Sequence, residues 1–190
     1  MRQAVFMDRD GTVSEETGYT GQVEHFRLYP CAAPAIRRLN QAGLRVILVT
    51  NQSGVARGYF SENAVQRIHA TLQQELALEG ACLDAIYYCP HHPEGTVSEY
   101  RRQCDCRKPG PGMLERAARE FDLDLAASFM VGDRYRDLET GFRAGARSIL
   151  VLSGYGEAEY ASDSQRWRRQ PDYVARDLSD AAEWIISIDD

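Results

Sequence analysis

The sequence predicts an α/β fold, a Rossmann-like three-layer sandwich built on a central parallel sheet. Three observations carry that expectation. Short, continuous apolar runs alternate with stretches of helical period, the pattern of strands covered on both faces. No linker, repeat or low-complexity tract divides the 190 residues, a length that suits one domain spanning 1–190. Polar, chemically competent residues follow four of the runs, where open α/β sheets bind their ligands.

The expected strands are residues 4–7, 44–49, 85–88, 128–131 and 148–152, with a weaker one at 173–174. Between them the periodicity predicts helices over 33–41, ended by Gly43, and over 61–79, ended by Gly80. Ser61 is placed to cap the second of these, ahead of a core stripe of Val65, Ile68, Leu72 and Leu76. Further helices are expected over 112–121, 136–143 and 179–186, the last turning Trp184 and Ile185 inward. Alternating strands and helices imply right-handed crossovers.

Hydrophobic residues make up 44% of the chain, which excludes wholesale disorder. Lys and Arg number 22 against 28 Asp and Glu, for a formal charge of −6. That balance argues against nucleic acid as a partner. No apolar run approaches a membrane span, and the N-terminal run is too short for a signal peptide. A cytoplasmic monomer with a small-molecule substrate and no membrane partner is the expectation. Five cysteines, an odd number, suit reduced thiols better than a disulfide framework. Cys31 and Cys82 read as small buried hydrophobes.

The chemistry-bearing residues follow the strands in order. After the first run stands Asp8-Arg9-Asp10-Gly11-Thr12; a divalent cation or an ordinary Asx turn accounts equally well for its carboxylates. After the second comes Thr50-Asn51-Gln52-Ser53-Gly54, a hydroxyl and small residues able to cradle a phosphate. Arg107-Lys108-Pro109 leads into a helix and can fix a positive charge, or can simply be solvated. After the fourth run Gly132-Asp133-Arg134-Tyr135-Arg136-Asp137 again sets carboxylates at a strand end.

A second signal is Cys89-Pro90-His91 followed by Cys104-Asp105-Cys106, a C-x-H-x12-C-x-C spacing. Three thiolates and an imidazole close a tetrahedron, so a structural Zn²⁺ in a loop over 89–106 is expected, with no position left for a catalytic water. His92 is a neighbouring rival for His91. By adjoining Cys106, Arg107 and Lys108 would have their direction fixed by the clamped loop.

The ordered set D-x-D-G-T, hydrophobic-T-N, K-P and G-D-x-x-x-D resembles the haloacid dehalogenase superfamily over residues 5–137. The resemblance implies a catalytic Mg²⁺ held by Asp8, the Asp10 backbone carbonyl and Asp133. It implies Asp8 as nucleophile, Asp10 as general acid and base, and Thr50 and Lys108 as stabilisers of the transferred phosphoryl group. Asp137 is expected to orient Lys108 or metal-bound water.

The gaps between motifs are filled by predicted elements and leave no room for a cap domain. Among capless members with such a loop, VTNQSGVARGYF, CDCRKPGPGM and FMVGDRYRD resemble the heptose-bisphosphate phosphatases. These supply precursors of nucleotide-activated heptose and the lipopolysaccharide core; histidinol-phosphate phosphatases are the alternative. The resemblance puts substrate contacts at Glu16, Thr17, Gly18 and Tyr19, at Thr50, Asn51, Gln52 and Ser53, and at Arg107, Lys108 and Arg134. Arg134 departs from the lysine common there, keeping the charge with a wider head group. A non-catalytic reading, a zinc-stapled scaffold, would require a decayed site, and the five motif residues are intact.

Overall fold

The computed structural model describes residues 2–188. Six strands, β1 (Ala4–Met7), β2 (Arg45–Asn51), β3 (Ala85–Cys89), β4 (Phe129–Gly132), β5 (Arg147–Val151) and β6 (Tyr173–Ala175), form one sheet in the order β3-β2-β1-β4-β5-β6. All neighbours are parallel. The α/β fold with a central parallel sheet is thereby established. Helices α1 (Ala32–Gln41), α2 (Glu62–Leu78), α3 (Gly112–Phe121), α4 (Tyr135–Ala144), α5 (Gly156–Asp163) and α6 (Leu178–Ser187) surround it.

Strand alternation splits the core in two. Val5, Met7, Val46, Leu48, Phe129 and Val131 point to one face, where α1, α2 and α6 lay Ile36, Leu39, Ile68, Leu72, Leu76 and Ile185 against them. Ala4, Phe6, Ile47, Val49 and Met130 point to the other, covered by Met113, Leu114 and Ala117 of α3. A strand with residues buried alternately on both sides reads as an unbroken apolar run, which is why these strands stand out in the sequence. Ser61 caps α2 through its hydroxyl, which accepts from the Ala64 N–H at 3.3 Å. Trp184 stacks on Tyr173 at 4.9 Å and meets Phe129 edge-on, while Ile185 is fully buried.

Three expectations need correction. The second strand runs to Asn51, so Thr50 and Asn51 pair within the sheet with Tyr88 and Cys89 rather than opening a loop. A helix, α5, occupies 156–163, where no apolar stripe marks it because Gly156 is its only fully packed residue. Cys82 is exposed, not buried, and Cys31 is half-buried against the core. No helix is long and apolar enough to cross a membrane among the described residues.

Candidate active site

The carboxyl ends of β1, β2 and β4 and the segment entering α3 converge on a cleft of about 430 Å³. Asp8 and Asp10 reach it from β1, Thr50 from β2, and Lys108 from the segment ahead of α3. The Lys108 ammonium lies 2.8 Å from Asp8 Oδ1 and 2.7 Å from Asp137 Oδ1. Asn51 holds this lysine's backbone from both sides: its Oδ1 accepts from the Lys108 N–H at 3.0 Å, and its Nδ2 donates to the Lys108 carbonyl at 3.1 Å. Asp137 does two jobs, since its Oδ2 also accepts from the Arg134 N–H at the start of α4.

Asp8, Asp133 and Asp137 are buried, with carboxylate oxygens within 4.8 Å of one another. Against one ammonium, three carboxylates leave two negative charges uncompensated. Burial and the charges of Asp137 and Asp8 push the Asp133 pKa up; burial does the same to Asp137 against the pull of Lys108. Burial works against the Lys108 charge, but Asp137 and Asp8 outweigh it and raise its pKa.

Asp133 Oδ2 accepts from the Tyr155 N–H at 2.8 Å, whereas Oδ1 is buried without a protein partner. Side-chain space around this carboxylate is kept open by Gly11 and Gly154. A Cβ there would fall 2.1 and 2.3 Å from Asp133 Oδ2, and both glycines have positive φ, 85° and 55°. An unpartnered buried oxygen, an all-oxygen donor set and a deficit of positive charge together fit a hard divalent cation.

The cysteine loop forms a second centre. The Sγ atoms of Cys89, Cys104 and Cys106 lie 3.2 to 3.5 Å apart, and His91 Nδ1 lies 3.7 and 3.5 Å from Cys89 and Cys106. These separations are too long for a disulfide and approach the edge of about 3.8 Å that a tetrahedral zinc–thiolate site requires. Hydrogen bonding with Cys89, then with Cys104 and His91, outweighs burial and lowers the Cys106 pKa. These four residues fit a zinc ion. His92 is not among them; its Nε2 lies 3.1 Å from Arg57. Because Cys89 pairs with Asn51 in the sheet, the root of this loop abuts the residue that clamps Lys108.

A model of the HAD-hydrolase-like family matches residues 105–181. The chain is 46% identical over 190 residues to the D-glycero-D-manno-heptose-1,7-bisphosphate 7-phosphatase of Thermosynechococcus vestitus, covering 98% of this chain and 96% of that one. It is 43% identical over 164 residues to the D-glycero-beta-D-manno-heptose-1,7-bisphosphate 7-phosphatase of Escherichia coli K12, covering 84% and 86%. The chain belongs to the heptose-bisphosphate phosphatase family of HAD-like hydrolases. Its fold superposes on the B. bronchiseptica D,D-heptose 1,7-bisphosphate phosphatase, complexed with magnesium and phosphate, with a TM-score of 0.86 and 36% identity over 98% and 99% of the two chains.

Within this family member's cleft the structure gathers Glu16, Gly18, Tyr19, Thr50, Asn51, Gln52, Ser53, Arg107, Lys108 and Arg134. Thr17 is elsewhere, its hydroxyl 2.6 Å from that of Thr20. The amides of Asn51 and Gln52 are spent within the protein, the latter donating to Asp10 Oδ2 at 3.0 Å and Thr50 Oγ1 at 2.9 Å. Arg134 is half-committed, paired with Glu159 at 2.9 Å and lying over Tyr155. Glu16 accepts from the Gly18 N–H, and burial raises its pKa.

The cleft is also lined by Arg57 and Phe60, from the loop over 53–60 that the sequence places as a wall of the site, by Arg136 of the fourth motif, and by Tyr155, which no motif marks. Arg57, in the VARGYF run, follows a motif residue closely enough to have been a candidate. Among the described residues none of Arg57, Arg107 and Arg136 forms an ion pair with a carboxylate. Burial, with Arg136 and Arg57 adding repulsion, lowers the Arg107 pKa against the pull of Cys89 and Cys104.

Proposed function

We propose that this phosphatase removes the C7 phosphate of D-glycero-D-manno-heptose 1,7-bisphosphate, with preference for the β anomer, in the cytoplasmic supply of nucleotide-activated heptose for the lipopolysaccharide core. The observation that carries the reading is the shape of the charge in one cleft. Asp8 and Lys108 stand at its floor, and three guanidiniums without carboxylate partners share its wall. One phosphoryl group is to react and a second anion is to be held. Histidinol phosphate, with an ammonium in place of a second phosphate, would meet repulsion there. A zinc-stapled scaffold would need no such floor.

Asp8 is the nucleophile that takes the phosphoryl group, giving an aspartyl-phosphate that water then hydrolyses. Its Oδ1 is occupied by Lys108 and by the Arg9 N–H at 2.7 Å, which leaves Oδ2 for attack. Asp10 gives its proton to the departing sugar oxygen and later takes one from water. Thr50, whose Oγ1 accepts from Gln52, has its hydroxyl proton free for a phosphoryl oxygen. Lys108 neutralises charge on the same group, and Asp137 and Asn51 hold it there. Mg²⁺, held by Asp8, the Asp10 carbonyl and Asp133, would supply the charge that lets a carboxylate approach a phosphate dianion. Zn²⁺ on Cys89, His91, Cys104 and Cys106 would be structural.

Arg107, whose Nη1 donates to the His91 carbonyl at 3.2 Å, is the residue assigned to the distal phosphate. Steady-state kinetics on both heptose 1,7-bisphosphate anomers and on histidinol phosphate test the assignment. The β-bisphosphate is expected to have the highest kcat/KM. A charged hydrogen bond to phosphate is worth about 1.5–3 kcal/mol, so Arg107→Ala should cost that substrate about 10- to 150-fold and a simple monophosphate far less. Parallel losses on both would reject distal-phosphate recognition.

A further inference from the structure

One buried polar cluster beneath the cleft has no part in the scheme above. Arg9 stands between the two catalytic aspartates in sequence, yet its side chain is only 1% exposed. It forks onto the neighbouring carboxylate, Nε donating to Asp10 Oδ1 at 3.0 Å and Nη2 to Asp10 Oδ2 at 2.9 Å. Its remaining terminal nitrogen, Nη1, lies 3.3 Å from His69 Nε2, on α2 and sixty residues away. An arginine can only donate, so His69 Nε2 is the acceptor and the ring's proton sits on Nδ1. Burial, then the Arg9 charge, bring His69 down to about 3, which keeps it neutral and able to accept. Tyr88 of β3 meets the His69 ring edge-on at 5.6 Å and fixes its plane.

A carboxylate offers about four lone-pair positions. On Asp10, Arg9 fills one on each oxygen, and Gln52 fills the second on Oδ2. One position is left, on Oδ1. We propose that Arg9, braced by His69, is a positioning residue that fixes Asp10 so that Oδ1 alone carries the proton passed to the leaving sugar oxygen. This rests on Asp10 being the general acid, as stated above. The buried guanidinium thus aims the acid without touching substrate, and its neutral histidine brace leaves the fork no second cation to repel it.

The test uses two leaving groups. A sugar alkoxide needs a proton to depart, whereas p-nitrophenolate does not. The ratio kcat/KM reports steps only through ester cleavage, so hydrolysis of the aspartyl-phosphate does not enter. General acid catalysis contributes about 10²–10⁴-fold. Arg9→Met should therefore lower kcat/KM on heptose 1,7-bisphosphate by about 30-fold or more while moving p-nitrophenyl phosphate by less than about threefold. Arg9→Lys, one charge without a fork, should fall between. His69→Phe should show the same selective loss more weakly, and His69→Gln, which keeps an acceptor, should recover the rate on heptose 1,7-bisphosphate; this pair carries the test if Arg9→Met does not fold. Asp10→Asn is measured alongside. Selective loss in Asp10→Asn with parallel losses in the Arg9 and His69 variants overturns the positioning role and leaves the general acid standing. Parallel loss in Asp10→Asn itself overturns both.

Discussion

Asp8 and Asp10 differ in what surrounds them, although only Arg9 separates them. Asp8 is bound to Lys108 through one oxygen and open through the other, while Asp10 is enclosed by donors from Arg9 and Gln52. The contrast leaves Asp8 one free oxygen and holds the Asp10 carboxylate in one orientation. Asp8→Asn removes the charge of the proposed nucleophile with almost no change in volume. Turnover should fall beyond detection of about a thousandfold loss while thermal unfolding shifts little; residual turnover within about tenfold, ~1.4 kcal/mol in barrier, would reject the role. Both aspartates, Thr50 and Asp133 could be picked from the sequence because each stands at or just past the end of an apolar run, and Lys108 because it sits in a K-P pair ahead of a helix. Asn51 and Gln52 could be picked as well, but not the direction of their amides. At the end of β2, pairing with β3 and the turn that follows decide where these amides point, and both depend on partners distant in sequence.

Elements set the precision of the site. The cysteine loop is rooted at the end of β3, beside Asn51, and ends on Arg107 and Lys108. A metal holding its four residues would join the strand edge to the segment entering α3. Protein purified without chelators should contain one zinc per chain by elemental analysis, and absence of zinc would reject the site. Cys104→Ser should lose it and raise amide hydrogen exchange across residues 104–110, with activity falling even at saturating Mg²⁺. Unchanged exchange there would show that the loop holds itself without metal. At the other side of the cleft, Glu159 of α5 ties Arg134 and accepts from the Tyr135 N–H at 2.8 Å, so α5 closes the start of α4. That helix was invisible in the sequence because it serves through one polar side chain and buries no stripe.

The whole molecule holds His69 neutral at a cost. His69 is only 6% exposed and its folded pKa lies near 3 against about 6.5 in an unfolded chain. Between those values the unfolded chain binds a proton that the fold refuses, so stability falls as pH falls from 6.5 toward 3, by up to ~1.4 kcal/mol per pH unit. Because the raised pKa values of Asp133 and Asp137 act in the opposite sense, the test is a difference: from pH 7 to pH 4 the urea midpoint of His69→Phe should rise relative to that of the parent chain, and equal slopes would show that His69 titrates normally in the fold. Mg²⁺ should raise the midpoint of unfolding by binding the folded carboxylates alone, and no change on its addition would count against the proposed donor set. The sequence by itself determined the strand and helix alternation, the order of the four motif segments and the zinc-ligand spacing. Each of these is a local pattern, written by the period of an apolar run or by residues a few positions apart. Only the tertiary structure decided that Arg9 meets His69, that Asn51 grips Lys108, and that Arg57 and Arg136 join Arg107 around one cleft. Those contacts bridge segments that touch only after parallel strands have crossed over and packed, so no window along the chain contains both partners.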